Sequence, residues 1–272
     1  MAELKTPLEL YKLLKKSNCG ECRVPSCMAF AVAVVQGQKS LSDCPYLASE
    51  VIDSLSGKIV RQKTFEDGQE PTLKKLQTEV AKLDFAEAAA RTGTALVNGR
   101  LAIPCLGKDF IIDGEGNLAS PCHVNFWVHY PLLNYVLLCK GAPLSASWAT
   151  IGQLKDGGEW EQFFAHRVCE AMRQLADAHT DFFFQILELF GAKPAPNDSG
   201  ADQSLLIHPL PKVPFRINYW APEEGIDSKL NILFDRSAEL NIDPGSIYYL
   251  GRGLVEMFRQ LILSHSKDGK LF

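Results

Sequence analysis

Four cysteines stand close together near the start of the chain. Cys19, Cys22, Cys27 and Cys44 are separated by gaps of two, four and sixteen residues, with no histidine among them. Four thiolates in so short a stretch are a tetrahedral metal-ligand set before they are anything else. A structural zinc site brings two short C-x2-C knuckles from separate places, and here only Cys19 and Cys22 make such a pair. The first three cysteines instead form one loop, Cys19-Gly-Glu-Cys22-Arg-Val-Pro-Ser-Cys27, and the fourth directly precedes Pro45. A tight run of Cys ligands closed by a Cys-Pro is a common holder of cubane iron–sulfur clusters. The spacing therefore points to a cluster ahead of zinc. Two disulfides are the third alternative, disfavoured because nothing else in the chain looks secreted.

The elements around the cysteines suit a cluster. Pro25 and Ser26 read as the opening of a helix through Cys27 and on to Val35, with Gly37 as its stop. The positive end of that helix faces the Cys22–Cys27 loop, and its free amides can donate to sulfur. Burial, hydrogen bonds to sulfur and local charge tune cluster potentials over about −700 to +450 mV, so no value follows. Upstream, Thr6-Pro7-Leu8-Glu9 is a capping box opening a helix that places Leu10, Tyr11, Leu13 and Leu14 near one side. Downstream, a third helix is expected through Tyr46, Leu47, Val51, Ile52 and Leu55, closing at Gly57. Three short helices make a small unit whose stability leans on its metal.

The cysteine spacing and the apolar helix after the third Cys resemble a small four-iron four-sulfur domain. It is found at the N-terminus of the corrinoid iron–sulfur protein large subunit and in the B subunit of the Rnf electron-transport complex. The resemblance covers roughly residues 1 to 60. It implies a 4Fe-4S cluster on Cys19, Cys22, Cys27 and Cys44 that passes single electrons, in the first relative to reactivate an oxidised cobalt corrinoid. The rest of the chain resembles an uncharacterised bacterial and archaeal family, a domain of unknown function often labelled an iron–sulfur protein. Ala90-Arg91-Thr92-Gly93, Leu210-Pro211-Lys212-Val213-Pro214 and Asn231-Ile232-Leu233-Phe234-Asp235 carry that second likeness, and no activity comes with it.

The remaining 200 or so residues read as α+β. The expected division is a cluster domain over 1–57, a polar linker over 58–71 and an α+β domain over 72–272. In the last, helices run from Pro71 to Leu83 and from an Asp84 N-cap to Gly93. Asn98-Gly99, Gly107-Lys108 and Asp113-Gly114 then separate four short strands, Thr94–Val97, Arg100–Leu106, Asp109–Ile112 and Asn117–Ala119, an antiparallel meander. Helices follow over Tyr130 to Lys140 and Gly158 to Phe190, the latter broken near Thr180. Strands follow at Leu205–His208, Val213–Trp220 and Lys229–Phe234, then a last helix over Pro244 to His265.

Other candidate chemistry is thinner. Gly114-Glu115-Gly116-Asn117-Leu118-Ala119 matches a dinucleotide loop only superficially, because it sits in a hairpin. Cys105, Cys122, Cys139 and Cys169 arise at long intervals and read as lone buried thiols, with Cys122-His123 the pair to watch as a nucleophile and base. His123, His129, His166, His179, His208 and His265 are scattered. Asp177-Ala178-His179 approaches a corrinoid-binding D-x-H-x-x-G loop, but Phe182 stands where Gly is needed. Trp127, Trp148, Trp160 and Trp220 could line a pocket and are more ordinarily core, while Glu223 and Glu224 read as a solvated rim.

Composition bounds the rest. Apolar residues make up 46% of the 272, and the net charge of −4 carries no basic stripe, which argues against a nucleic-acid footprint. Met1 to Leu10 lacks a signal-peptide pattern, and the greasy run Val124–Cys139 is interrupted and short for a membrane span. The expected location is the cytoplasm of an anaerobe. Three functions follow: an electron carrier serving a redox or corrinoid protein, an enzyme in the larger domain supplied by the cluster, or a binding module with a structural metal clip.

Overall fold

The computed structural model describes residues 6–35, 39–55, 58–59, 65–122 and 124–268, without the side chains of 65–67 and 265–268. Gly37, Gly57 and His123 lie outside the described residues. The chain forms two compact units, divided between Glu70 and Pro71.

In the first unit, helix α1 spans Pro7–Leu13, α2 spans Cys27–Val35 and α3 spans Ser49–Leu55. The Thr6 capping box forms: the Thr6 hydroxyl accepts from the Glu9 amide, and the Glu9 carboxylate accepts from the Thr6 amide. Leu10, Leu14, Phe30, Ala31, Val35 and Leu55 bury together. Leu13, expected on the same stripe, is 49% exposed. Its turn is the last of a seven-residue helix, and one turn cannot carry two adjacent leucines inward. After Cys44, residues 46–48 are turn and irregular chain rather than helix, so α3 begins only at Ser49.

Helix α4, Phe65–Val80, starts six residues before the expected Pro71 and so takes up the end of the expected polar linker. Glu66, Gln69 and Glu70 are competent helix formers that extend it backwards past the proline. Helix α5, Phe85–Thr92, has the predicted ends. The Asp84 carboxylate accepts from the Ala86 and Glu87 amides, and Gly93 closes the helix at φ 69°.

Strands β1 (Ala95–Val97), β2 (Arg100–Cys105), β3 (Lys108–Ile112) and β4 (Leu118–Ala119) form the antiparallel meander in sequence order. Gly116, φ 78°, turns the last hairpin against α4: a Cβ there would stand 2.4 Å from the Gln77 carbonyl oxygen. The Asp113 carboxylate fills the turn by accepting from the Glu115 and Asn117 amides. No phosphate cradle remains in that loop, which disposes of the dinucleotide match.

Helix α6, Phe126–Leu138, begins four residues earlier than expected and carries Pro131 inside it. A second antiparallel sheet follows in the order β5-β9-β8-β7-β6. Its long strands are β7 (Gln203–Leu210), β8 (Val213–Trp220) and β9 (Lys229–Asp235), edged by two-residue β5 (Trp148–Ala149) and β6 (Lys193–Pro194). The two edges are too short to show an alternating pattern in sequence. The helix expected over 158–190 is in pieces: α7 (Glu161–Phe164), a π-helical turn (Ala165–Cys169), α8 (Glu170–Ala178) and α9 (Thr180–Leu189), with the break at His179. A short α10 (Ala238–Asn241) precedes α11 (Pro244–Asp268). Among the described residues the second unit is thus helices packed on antiparallel sheet, an α+β architecture.

Three segments singled out in sequence knit this unit. Arg91 donates to the carbonyls of Cys139 and Val136 at 2.5 and 2.6 Å, and the Tyr135 hydroxyl donates to the Thr92 carbonyl at 2.6 Å. Lys212 donates to the Gly141 carbonyl, and the Asp235 carboxylate accepts from the Ser145, Ala146 and Ser237 amides. Apart from the Ser237 contact, all fall on the last turns of α6 or the loop after it, so these residues hold that backbone in place.

Candidate metal centre

The four N-terminal cysteines line one recess, together with Leu14, Lys15, Phe30, Pro45 and Tyr46. Cys22 is buried, Cys27 and Cys44 half-buried and Cys19 exposed, and all four are free thiols. The two ends of the Cys19–Cys27 loop are pinned to each other. The Asn18 side-chain carbonyl accepts from the Cys27 amide at 2.9 Å, and the Asn18 amide donates to the Cys27 sulfur at 3.4 Å. Asn18 and Arg23 have φ of 51° and 61°, and Gly20 has 76°, a run of left-handed turns that wraps the loop tightly.

Helix α2 opens on this recess. The Ser26 hydroxyl accepts from the Ala29 amide, the Ser26 carbonyl from Phe30 and Asn18 from Cys27, which leaves the Met28 amide as the free donor of the first turn among the described residues. Lys15 lies at the rim, 4.4 Å from the Tyr46 ring centre, and the Tyr46 hydroxyl donates to Glu21 at 2.6 Å. A lysine and a helix N-terminus both favour an anionic occupant.

No three His, Cys, Asp or Glu side chains among the described residues close on a single point. By donor chemistry, and by lining one recess, Cys19, Cys22, Cys27 and Cys44 fit an iron–sulfur cluster.

The second unit holds other candidates. A pocket of about 320 Å³ is lined by Cys105, Cys122, Asn125, Trp127, Phe190 and Met257, among others. Cys105 is buried, while Cys122, the exception singled out in sequence, is exposed and lines the pocket, and Cys169 is only half-buried. Burial, and then the nearby Cys122, push the Cys105 thiol up to about 12. Sequence separation hid this pairing, because a strand end and a loop seventeen residues on meet only once the meander folds. The buried Asn125 Oδ1 and His129 Nε2 have no hydrogen-bond partner among the described residues, and burial lowers the His129 pKa. Cys139 is packed against Arg91 and Asn241, away from that pocket's lining. Burial raises Cys169 to about 12 as well.

The corrinoid-loop match dissolves: Asp177 accepts from Arg173, Ser228 and Tyr219 at 2.7, 2.6 and 2.8 Å, a structural knot. Trp160 packs on Tyr248, Trp148 under Arg216 and Trp220 under Lys229, all explained by packing. His123 lies outside the described residues, as does the His265 side chain, so the Cys122–His123 pair has no described geometry.

A helical cysteine-rich unit joined to an α+β unit is the class that this fold and recess define. Residues 84–257, more than half of the chain, match the family described as domain of unknown function DUF3786, and the chain belongs to that family. Residues 14–46 match the family described as "Putative Fe-S cluster". The N-terminal region is also similar to three curated proteins. The corrinoid/iron-sulfur protein large subunit of Moorella thermoacetica is 48% identical over 50 residues, 18% of this chain and 11% of that protein. The gamma subunit of the acetyl-CoA decarbonylase/synthase complex of Methanothermobacter thermautotrophicus is 38% identical over 63 residues, 22% and 14% of the two chains. Gamma subunit 1 of that complex in Methanosarcina thermophila is 39% identical over 75 residues, 25% and 16%. The match spans less than a fifth of each relative's length. No solved structure matches. Among the described residues no helix is long and apolar enough to cross a membrane.

Proposed function

We propose that residues 1–57 hold a 4Fe-4S cluster on Cys19, Cys22, Cys27 and Cys44 and carry single electrons, from a donor to a redox or corrinoid partner protein or to a group held by residues 72–272 beyond the 58–71 segment. The carrying observation is that these four thiols line one recess at the N-terminal end of α2. When bound, the cluster supplies reversible one-electron storage. The protein's part is to tune and protect it. The Asn18 amide donates to the Cys27 sulfur, and the Met28 amide is free to do the same for the bound group. Such donors and the rim lysine favour the reduced, more negative state. Phe30 and Leu14 line the inner wall and keep water off it. The surroundings this suits are the cytoplasm of an anaerobe, since the exposed Cys19 edge gives oxygen access.

Anaerobic purification with iron and sulfide analysis tests the reading, followed by voltammetry and mixing with an oxidised corrinoid protein. About four iron and four sulfide per chain, with a reversible one-electron wave and corrinoid reduction, is the expected result. Zinc without sulfide overturns it.

A second reading rests on the pocket beside Cys122: an enzyme in the larger unit that draws on the cluster. It requires a small molecule to be turned over there. Unchanged electron transfer to every acceptor in the Cys122→Ser protein removes it.

A further inference from the structure

A groove of about 430 Å³ in the second unit shares no lining residue with the Cys105 pocket, and His166, Arg167, Glu170, Gln174, Arg252 and Arg259 line it. Three guanidiniums in one groove repel one another unless an anion offsets them. None of the three makes an ion pair among the described residues. The carboxylate in the lining is already taken: Glu170 accepts from Arg173 at 2.6 and 2.8 Å and from Gln174 at 2.9 Å. Glu256, between Arg252 and Arg259 in sequence, accepts from Gln260 and lines the Cys105 pocket instead. Nor does composition explain the cluster, since the chain carries a net charge of −4.

The fold positions these groups. Gly251 lets α11 press onto the π-helical turn, where a Cβ would stand 2.9 Å from Phe164 and 3.0 Å from Val168. That approach brings Arg252 to donate to the Arg167 carbonyl at 3.1 Å, with its guanidinium 5.6 Å over the Trp127 ring. One N–H is spent and one face covered, so Arg252 is held rigid with further donors to spare. The π turn, a rare element often found at functional sites, carries His166 and Arg167.

We propose that this groove binds the phosphoryl group of a small phosphorylated molecule. A doubly charged tetrahedral oxyanion offers acceptors on several sides and can engage several planar forks at once. A carboxylate satisfies one fork. The groove exceeds an inorganic ion in size and falls within the span of small-molecule sites, leaving room for an organic body beside Gln174. The inference stands independently of the cluster reading.

Isothermal titration of the full chain with pyrophosphate, kept anaerobic, is the test, with succinate as the dicarboxylate control and polyglutamate as the acidic-polypeptide control. One saturable pyrophosphate site that weakens with added salt is expected, with succinate failing to bind at ten times the concentration. Arg167→Gln and Arg259→Gln should each weaken the site about tenfold. Both variants change groove arginines that make no hydrogen bond through their side chains among the described residues, so unchanged circular dichroism should accompany the loss. The proposal is overturned if pyrophosphate does not bind, if both substitutions leave binding unchanged, or if succinate or polyglutamate binds as well as pyrophosphate does. The polyglutamate outcome would assign the groove to an acidic protein surface.

Discussion

Asn18 and Cys27 hold each other twice: the Asn18 side chain accepts from the Cys27 amide at 2.9 Å, and the Asn18 amide donates to the Cys27 sulfur at 3.4 Å. This clasp closes the ligand loop and gives a sulfur one of its hydrogen bonds. Asn18→Gly keeps the left-handed backbone and the amide donor but removes the side-chain acceptor. We expect about 1 kcal/mol of lost loop stability, read as several-fold faster cluster loss to an iron chelator. Asn18→Val adds backbone strain at φ 51° and should lose the cluster faster still. Equal loss rates in the wild-type chain and both variants would sink the role assigned to the clasp.

Removing the bound group should act on one unit. The first unit buries a small set of side chains around Phe30 and Leu10, whereas the second has an extensive core around Phe215, Phe234 and Phe258. Chelation, or Cys27→Ser, is expected to lower the melting of the first unit and leave the second where it was. Calorimetry of the two forms checks this, and a shift of both transitions together would contradict it.

Gly116→Ala should destabilise the second unit by about 3 kcal/mol or more. The added methyl would meet the Gln77 carbonyl at 2.4 Å in a residue whose φ is 78°. By contrast, Gly99→Ala, at φ 74° with open space around it, meets only the backbone penalty of about 1 kcal/mol. Denaturant midpoints of the pair separate the two effects.

Asp235 links this unit's stability to pH. Burial alone would raise its carboxyl, yet hydrogen bonds from Ser145 and Ser237 carry it below the usual carboxylate range. A depressed folded pKa means stability that is present above the unfolded value, about 3.9, and lost as pH falls through the folded one. Asp235→Asn should therefore cost about 2 kcal/mol near neutrality and flatten the acid side of the melting curve. Melting temperatures from pH 7 downward test it.

The thiols should divide by reactivity. Cys122 is exposed, while Cys105 is buried with its thiol pushed up to about 12. Iodoacetamide at pH 8 is expected to label Cys122 in the folded chain and to reach Cys105 only after unfolding, readable by peptide mass. Cys122→Ser should leave Cys105 unlabelled, since burial is the larger cause of its shift.

What the sequence by itself determined was local. Cys19, Cys22, Cys27 and Cys44 announced a ligand set through spacing, Thr6 and Glu9 wrote a capping box, and Asp84 and Gly93 bounded α5. In each, the interacting groups sit a few residues apart, so residue type and spacing carry the information. The meander was legible for the same reason, through its turn pairs. The start of α4 was missed because Glu66, Gln69 and Glu70, though helix formers, sit with Asp67 and Gly68 in a stretch that reads equally well as linker. Tertiary structure alone decided the rest. Cys105 and Cys122 share a pocket because the meander folds back on itself, and Arg167, Arg252 and Arg259 share a groove because Gly251 lets α11 approach the π turn. Those meetings join residues up to about ninety positions apart, and no local propensity encodes them; they follow from which apolar faces bury against each other.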